Sequence, residues 1–173
     1  MRRFLVIALL ALISAASGAQ TPAVQKLLPA ANAVKGFAIM PGSLAYGKAN
    51  DLSRIYDGGY ELYTKNGVID AARQMYQRGG DYVEVTIHTM KSEKAALEFL
   101  KHWQKENKAK SLTKSGASTG FLVTKPSVTA YFVQGKYFAT VSAFHAPEKA
   151  AKDANAFRAV ISRAMSKGQS RKH

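Results

Sequence analysis

Apolar and polar positions change period several times along the chain, and each change marks an element. Tyr82 to Met90 alternates strictly, with Val83, Val85 and Ile87 on one side and Tyr82, Glu84, Thr86 and His88 on the other. A period of two predicts a strand with one face on a core and a more polar opposite face, which suits an antiparallel sheet. Val68 to Gln77 is ambiguous by spacing, because Ile69, Ala72 and Tyr76 also fit a helix. The Asn66-Gly67 stop before it and the Arg78-Gly79-Gly80-Asp81 turn after it favour a strand, hairpinned to the next. Gly120 to Thr124, Val128 to Gln134 and Tyr137 to Phe144 are three further strands, the last two joined across Gly135-Lys136. Phe37 to Met40 and Leu44 to Tyr46 are short strand candidates on either side of the Pro41-Gly42 turn.

The period lengthens to that of a helix in three places. Leu52, Ile55, Tyr56, Gly59, Leu62 and Tyr63 form one stripe, predicting a helix from about Leu52 to Asn66 capped by Asn50 or Asp51. Ser92 caps a second helix to about Asn107, with Ala96, Phe99, Leu100 and Trp103 inward. Pro147 opens a third, to about Met165, whose core face is Ala150, Ala154, Phe157 and Ile161. Lys110 to Thr119 reads as a polar loop. Hairpins with interspersed helices predict an α+β fold, a mainly antiparallel sheet of about five to seven strands packed with three helices.

Gly58-Gly59 stands in the middle of the first helix, where each glycine costs about 1 kcal/mol relative to alanine. Such a pair implies close backbone approach to a strand or a ligand, so this helix is expected to dock tightest on the sheet. Asp57, Gly58, Gly59, Tyr60 and Glu61 are therefore the candidate ligand-binding residues. Asp57 and Glu61, four apart, share one helical face and could form a cation site or an acid/base pair. Arg54 before Asp57 and Lys65 after Glu61 are at local pairing distance, which favours plain ion pairs instead.

Leu27-Leu28-Pro29, Tyr56-Asp57-Gly58-Gly59-Tyr60-Glu61-Leu62-Tyr63 with Asn66-Gly67, Val83-Glu84-Val85 with Met90, and Ala95-Ala96 form a pattern. It resembles a family of secreted bacterial proteins known as domain of unknown function 6599, and the likeness spans most of the chain after its leader. Family members similarly carry an (Asn/Asp)-Gly-(Gly/Ala)-Ala-Glu-Leu-Tyr helix before a hairpin; here Tyr60 stands where a small residue is expected. The resemblance implies export and an α+β fold, and it brings no activity, cofactor or catalytic residue.

The address is written at the start of the chain. Arg2 and Arg3 precede the apolar run Phe4 to Ile13, and the small residues of Ser14 to Ala19 predict cleavage after Ala19. The run is well short of the ~20 residues that span a bilayer. The expected organisation is a cleaved signal peptide at 1–19, a tether at 20–26, one α+β domain at 27–166 and a disordered basic tail at 167–173. The chain has no cysteine, which excludes disulfides, thiolate metal sites and cysteine nucleophiles.

The formal charge is +14, or +12 without Arg2 and Arg3. No acid lies between Asn107 and Pro147, whereas Lys108, Lys110, Lys114, Lys125 and Lys136 do. Such a surplus favours an anionic envelope polymer or an anionic lipid surface, although dispersed lysines also suit a solvated surface. Lys101, Lys105 and Lys108 form one basic ridge on the second helix. His88, His102, His145 and His173 show no metal-binding spacing, and there is no serine elbow or phosphate-binding glycine loop. Tyr131, Phe132, Tyr137, Phe138 and Phe144 beside Lys125 and Lys136 do not match an RNA-recognition signature, and export argues against nucleic acid.

These observations describe an exported, soluble, non-catalytic envelope module, with no cofactor and no metal, binding an anionic or apolar partner between the glycine-bearing helix and the sheet. One alternative is a hydrolase or metal-dependent enzyme using Asp57 and Glu61 with His88 or His102. Another is an assembly subunit that buries an aromatic sheet face against another envelope protein.

Overall fold

Strands β3 (Val68–Arg78) and β4 (Asp81–Met90) form the hairpin on which the other elements are laid. They pair antiparallel from Val68↔Met90 to Arg78↔Asp81, with the ambiguous stretch extended along its whole length. The computed structural model describes residues 21–170. The signal peptide expected at 1–19 lies outside the described residues, as do residue 20 and the last three residues.

Before the hairpin come β1 (Ala38–Ile39), β2 (Ala45–Lys48), a 3-10 helix (Ala49–Arg54) and α1 (Tyr60–Lys65). After it come α2 (Glu93–Glu106), β5 (Thr113–Ser115), β6 (Ser118–Val123), β7 (Val128–Gln134), β8 (Tyr137–Ala143) and α3 (Pro147–Ser170). The eight strands form one antiparallel sheet in the order β1-β3-β4-β8-β7-β6-β5, with β2 also beside β3. The fold is α+β, as the hydrophobic pattern predicts. The strand beyond the expected number is β5, which lies in the stretch read as a loop; its three residues are all exposed and carry no apolar signal.

Both faces of this sheet are covered, so the polar face of β4 is not open to solvent as alternation alone suggests. On the first face Val83, Val85 and Ile87 meet Ala139, Val141 and Ala143 of β8 beneath Phe157, Ile161 and Met165 of α3. Val24 is fully buried in the same core, within the stretch expected to be a tether. On the second face Met90, Val133 and Phe138 pack under Phe99 and Leu100 of α2. The expected aromatic face is divided by the pleat: Phe132 joins the first core, Phe138 the second, and Phe144 is half exposed. Helix α3 runs through Ser170, so the first four residues of the expected disordered tail are helical.

The first helix of the sequence reading is corrected. Leu52 to Asn66 is two short helices separated by Gly58 (φ 99°) and Gly59 (φ 69°), both in the left-handed region that glycine adopts readily. A Cβ at either glycine would meet nothing within 4 Å, so close approach is not why they are there. Nor is this the most tightly docked helix, since α1 has no fully buried residue.

Ser92 behaves as expected, its hydroxyl accepting from the Ala95 N–H at 3.1 Å. Ser92→Ala leaves that donor without its cap and should lower stability by about 1 kcal/mol, read as a urea midpoint.

Candidate functional site: an aromatic-walled cleft on the sheet

Cross-strand register builds three rows on the second face. His88 of β4, Phe138 of β8 and Val133 of β7 form a row covered by α2. The next row is Thr86, Thr140 and Tyr131, and the one beyond it Glu84, Ser142 and Thr129. These last two rows are polar and floor a cleft of about 140 Å³, walled by Tyr56, Tyr63, Trp103 and Tyr131. Tyr56 follows the 3-10 helix and Tyr63 lies on α1, and their rings stack at 3.9 Å between centroids. Trp103 stacks on Tyr131 at 5.8 Å. The broken glycine-bearing segment therefore supplies one wall and α2 the other.

Glu84 is the charged group of the floor. Burial pushes its carboxyl above the ordinary range, against the opposing pull of Arg73. Arg73 is held nearby by donating to the Ile55 carbonyl at 2.8 Å, and its Nε lies 3.8 Å from the carboxylate. Thr129 and Ser142 share one hydroxyl hydrogen bond of 3.0 Å.

His88 closes the inner end of the aromatic wall. Its Nδ1 lies 3.1 Å from the Phe138 carbonyl, which can only accept, so Nδ1 carries the proton. Nε2 is then the acceptor of the Tyr56 hydroxyl, and the ring stacks against Tyr63 at 5.4 Å. Burial lowers the imidazole pKa to about 4 and raises the Tyr56 phenol, so both are neutral at ordinary pH.

A pH dependence follows from His88. Between pH 6.5, the ordinary histidine value, and about 4, the unfolded chain binds a proton that the folded chain refuses. Stability therefore falls as pH drops through that window, by a few kcal/mol at most, at about 1.4 kcal/mol per pKa unit. The raised Glu84 pKa acts in the opposite sense, so the measurement is a comparison. Urea midpoints at pH 7 and 4.5 should differ more for the native chain than for His88→Gln, and equal differences would contradict the assignment.

The residues singled out by sequence lie elsewhere. Asp57, Gly58, Gly59 and Glu61 are exposed and Tyr60 is half-buried, and none of them lines the cleft. Neither Asp57 nor Glu61 is in an ion pair among the described residues; Arg54, the partner expected for Asp57, turns back to Asp51 at 3.8 Å, and Lys65 does not pair with Glu61. The structure does not gather Asp57 and Glu61 with His88 or His102 into the cleft, and His102 stacks on Phe99 at 6.0 Å. Lys101, Lys105 and Lys108 are all exposed, with Lys108 beyond the helix end at φ 51°. In the sequence only Glu84 and Thr86 stand out together, on the polar face of β4; Thr129, Thr140 and Ser142 join them through strand register.

One other group of ligating residues is brought together. Asp81, His145 and Asp153 place ligand atoms within 4.8 Å of one another. Arg78 bonds both carboxylates, Lys149 bonds Asp81, and His145 Nε2 lies 2.9 Å from Asp153. The Lys149 contact, first among several, holds Asp81 below the usual carboxylate range. With two cations already seated, the cluster is an ion-pair network tying the β3–β4 turn to α3.

No family model and no curated protein matches the chain. In structure it is similar to the extracellular domain of PknH from Mycobacterium tuberculosis, with a TM-score of 0.54 and 16% identity over 87% of this chain and all of that one. At that identity the likeness establishes a shared fold. Among the described residues no helix is long and apolar enough to cross a membrane.

Proposed function

We propose that the protein is an exported, non-catalytic binding module whose ligand occupies the cleft between the broken glycine-bearing segment, α2 and the sheet. The observation that carries this is the floor. Five polar side chains from three central strands lie on a sheet face that is otherwise closed by a hydrophobic core. Burying polar groups is unfavourable unless they find partners, and a ligand is such a partner. The Trp103 indole N–H is buried and has no hydrogen-bond partner among the described residues, adding one more group that a ligand would satisfy.

The chemistry selects the ligand class. Glu84 and the hydroxyls accept hydrogen bonds, and the tyrosine and tryptophan faces attract cations and carbon-bound hydrogens. The ligand is small, rich in hydroxyl or amino groups, and of the size of a single sugar ring. Export is supported by the leader at 1–19, by the resemblance of the Tyr56–Tyr63 stretch to secreted proteins, and by a fold shared with an extracellular domain.

Trp103, the single tryptophan, reports on the cleft directly. Titration with glucosamine, N-acetylglucosamine and glycerol should change its emission saturably for an amino sugar. Glu84→Gln should weaken that response about tenfold, the scale of a lost charge-assisted hydrogen bond. Absence of any saturable change, or a response indifferent to Glu84→Gln, would refute the ligand class. Export is checked separately: the secreted product should begin at Gln20 by intact mass.

A further inference from the structure

We infer that a second cavity, between α3 and the β5–β6 hairpin, is a binding site for an oxyanion, with Arg158 as its central donor. The cavity is about 400 Å³ and is lined by Arg158, Arg163, Ser115, Ser118, Ser162 and Ser166 among others. Arg158 is only 6% exposed. Its Nε donates to the Ser118 hydroxyl at 3.1 Å, and its Nη2 reaches the Ser118 carbonyl at 3.3 Å. A weaker contact of 3.5 Å joins Nη2 to the Thr113 carbonyl. Among the described residues Nη1 makes no bond and no carboxylate pairs with the guanidinium.

A buried arginine normally sits against an acid, because an uncompensated charge in the interior carries a large desolvation penalty. The sequence explains why none is present. No aspartate or glutamate occurs between Asn107 and Pro147, or anywhere after Asp153, so β5 to β8 and the C-terminal half of α3 contain no acidic side chain. Among the described residues no carboxylate supplies the counter-charge for Arg158, and an anionic ligand would. The guanidinium is nonetheless fixed for a ligand, seated on two carbonyls and a hydroxyl with its carbon 5.4 Å from the Phe132 ring. Arg163 adds a second, exposed guanidinium at the rim, and the exposed Ser115 a hydroxyl.

An arginine fork with flanking hydroxyls matches the oxygens of a phosphate or a carboxylate. Ser162 and Ser166 are bridged through the Gln134 amide, which fixes the opposite wall. The same oxyanion could arrive free in solution or as a lipid headgroup, and size does not separate them. This site is independent of the sheet-face cleft.

The test is a thermal shift and calorimetric titration of the purified protein with inorganic phosphate, glycerol 3-phosphate and acetate, at constant ionic strength. Flotation with phosphatidylglycerol and phosphatidylcholine vesicles runs in parallel. At least one oxyanion should bind saturably, with affinity reduced about tenfold or more in Arg158→Gln. Arg163→Gln, an exposed change that leaves the fold intact, should weaken it by a smaller factor and carries the test should Arg158→Gln fail to fold. Saturation by soluble anions alone identifies a free ligand. Added flotation on phosphatidylglycerol that Arg158→Gln abolishes identifies a headgroup. Only non-saturable, salt-like effects, or binding unchanged in both variants, would overturn the site. Trp103 emission should stay constant on anion binding, which separates this result from the sheet-face ligand.

Discussion

Phe157→Ala should lower stability by about 3–5 kcal/mol, the range for truncating a fully buried aromatic. Phe157 has no exposed surface and is the residue through which α3 grips both the sheet and the N-terminal segment. Phe37 packs against it edge to face at 5.1 Å and Tyr76 at 4.9 Å. The vacated volume lies between rigid rings, so little collapse can refill it. Against a total stability on the order of 10 kcal/mol, the loss should bring the thermal midpoint down by about 10 °C. Denaturant curves followed by circular dichroism and by Trp103 emission should shift together, because the two cores share one sheet. A loss under about 1 kcal/mol, outside the range for such a truncation, would mean that α3 is not seated through this ring.

Gly47→Ala should be nearly as damaging, for a different reason. A Cβ on Gly47 of β2 would lie 2.2 Å from the Asp51 carbonyl oxygen and 2.8 Å from the Leu52 Cα. Those atoms are backbone of the 3-10 helix that folds back over β2, so no side chain can swing aside. Overpacking of this kind costs about 1–3 kcal/mol, and here the upper end is expected. Relief requires lifting the 3-10 helix, which pulls Leu52 from the second core and displaces Tyr56 from the cleft wall. The variant should therefore also respond more weakly to any ligand that shifts Trp103 emission. Gly59→Ala makes a useful contrast. It meets open space and should lose only about 1–2 kcal/mol, from a side chain forced to positive φ.

That contrast shows what the sequence could and could not convey. Alternation in Tyr82 to Met90 and the stripes led by Phe99 and Phe157 located the sheet and the two long helices, because burial there follows local period. The Leu52–Tyr63 stripe misled for the same reason: apolar spacing is unchanged when a helix is interrupted by two left-handed glycines. Asp57-Gly58 was a turn signal that the stripe outweighed. The constraint on Gly47 was invisible, since it depends on a backbone segment returning over the strand. Glu84, Thr129 and Ser142 become neighbours only through the β4–β8–β7 register, so the cleft floor belongs to no motif. Arg158 belongs to no motif in the sequence, and only its burial without an acid among the described residues sets it apart.

The two ends of the sheet bear on how the protein behaves among its own copies. The outer side of β3 is shared between β1, of two residues, and β2, of four, with Pro41 and Gly42 between them. The opposite end is the three-residue β5, which carries Lys114. Neither margin offers a long row of free backbone donors and acceptors to an incoming strand, and such margins resist edge-to-edge addition. A chain that builds eight strands without a disulfide is thereby guarded against strand-by-strand aggregation.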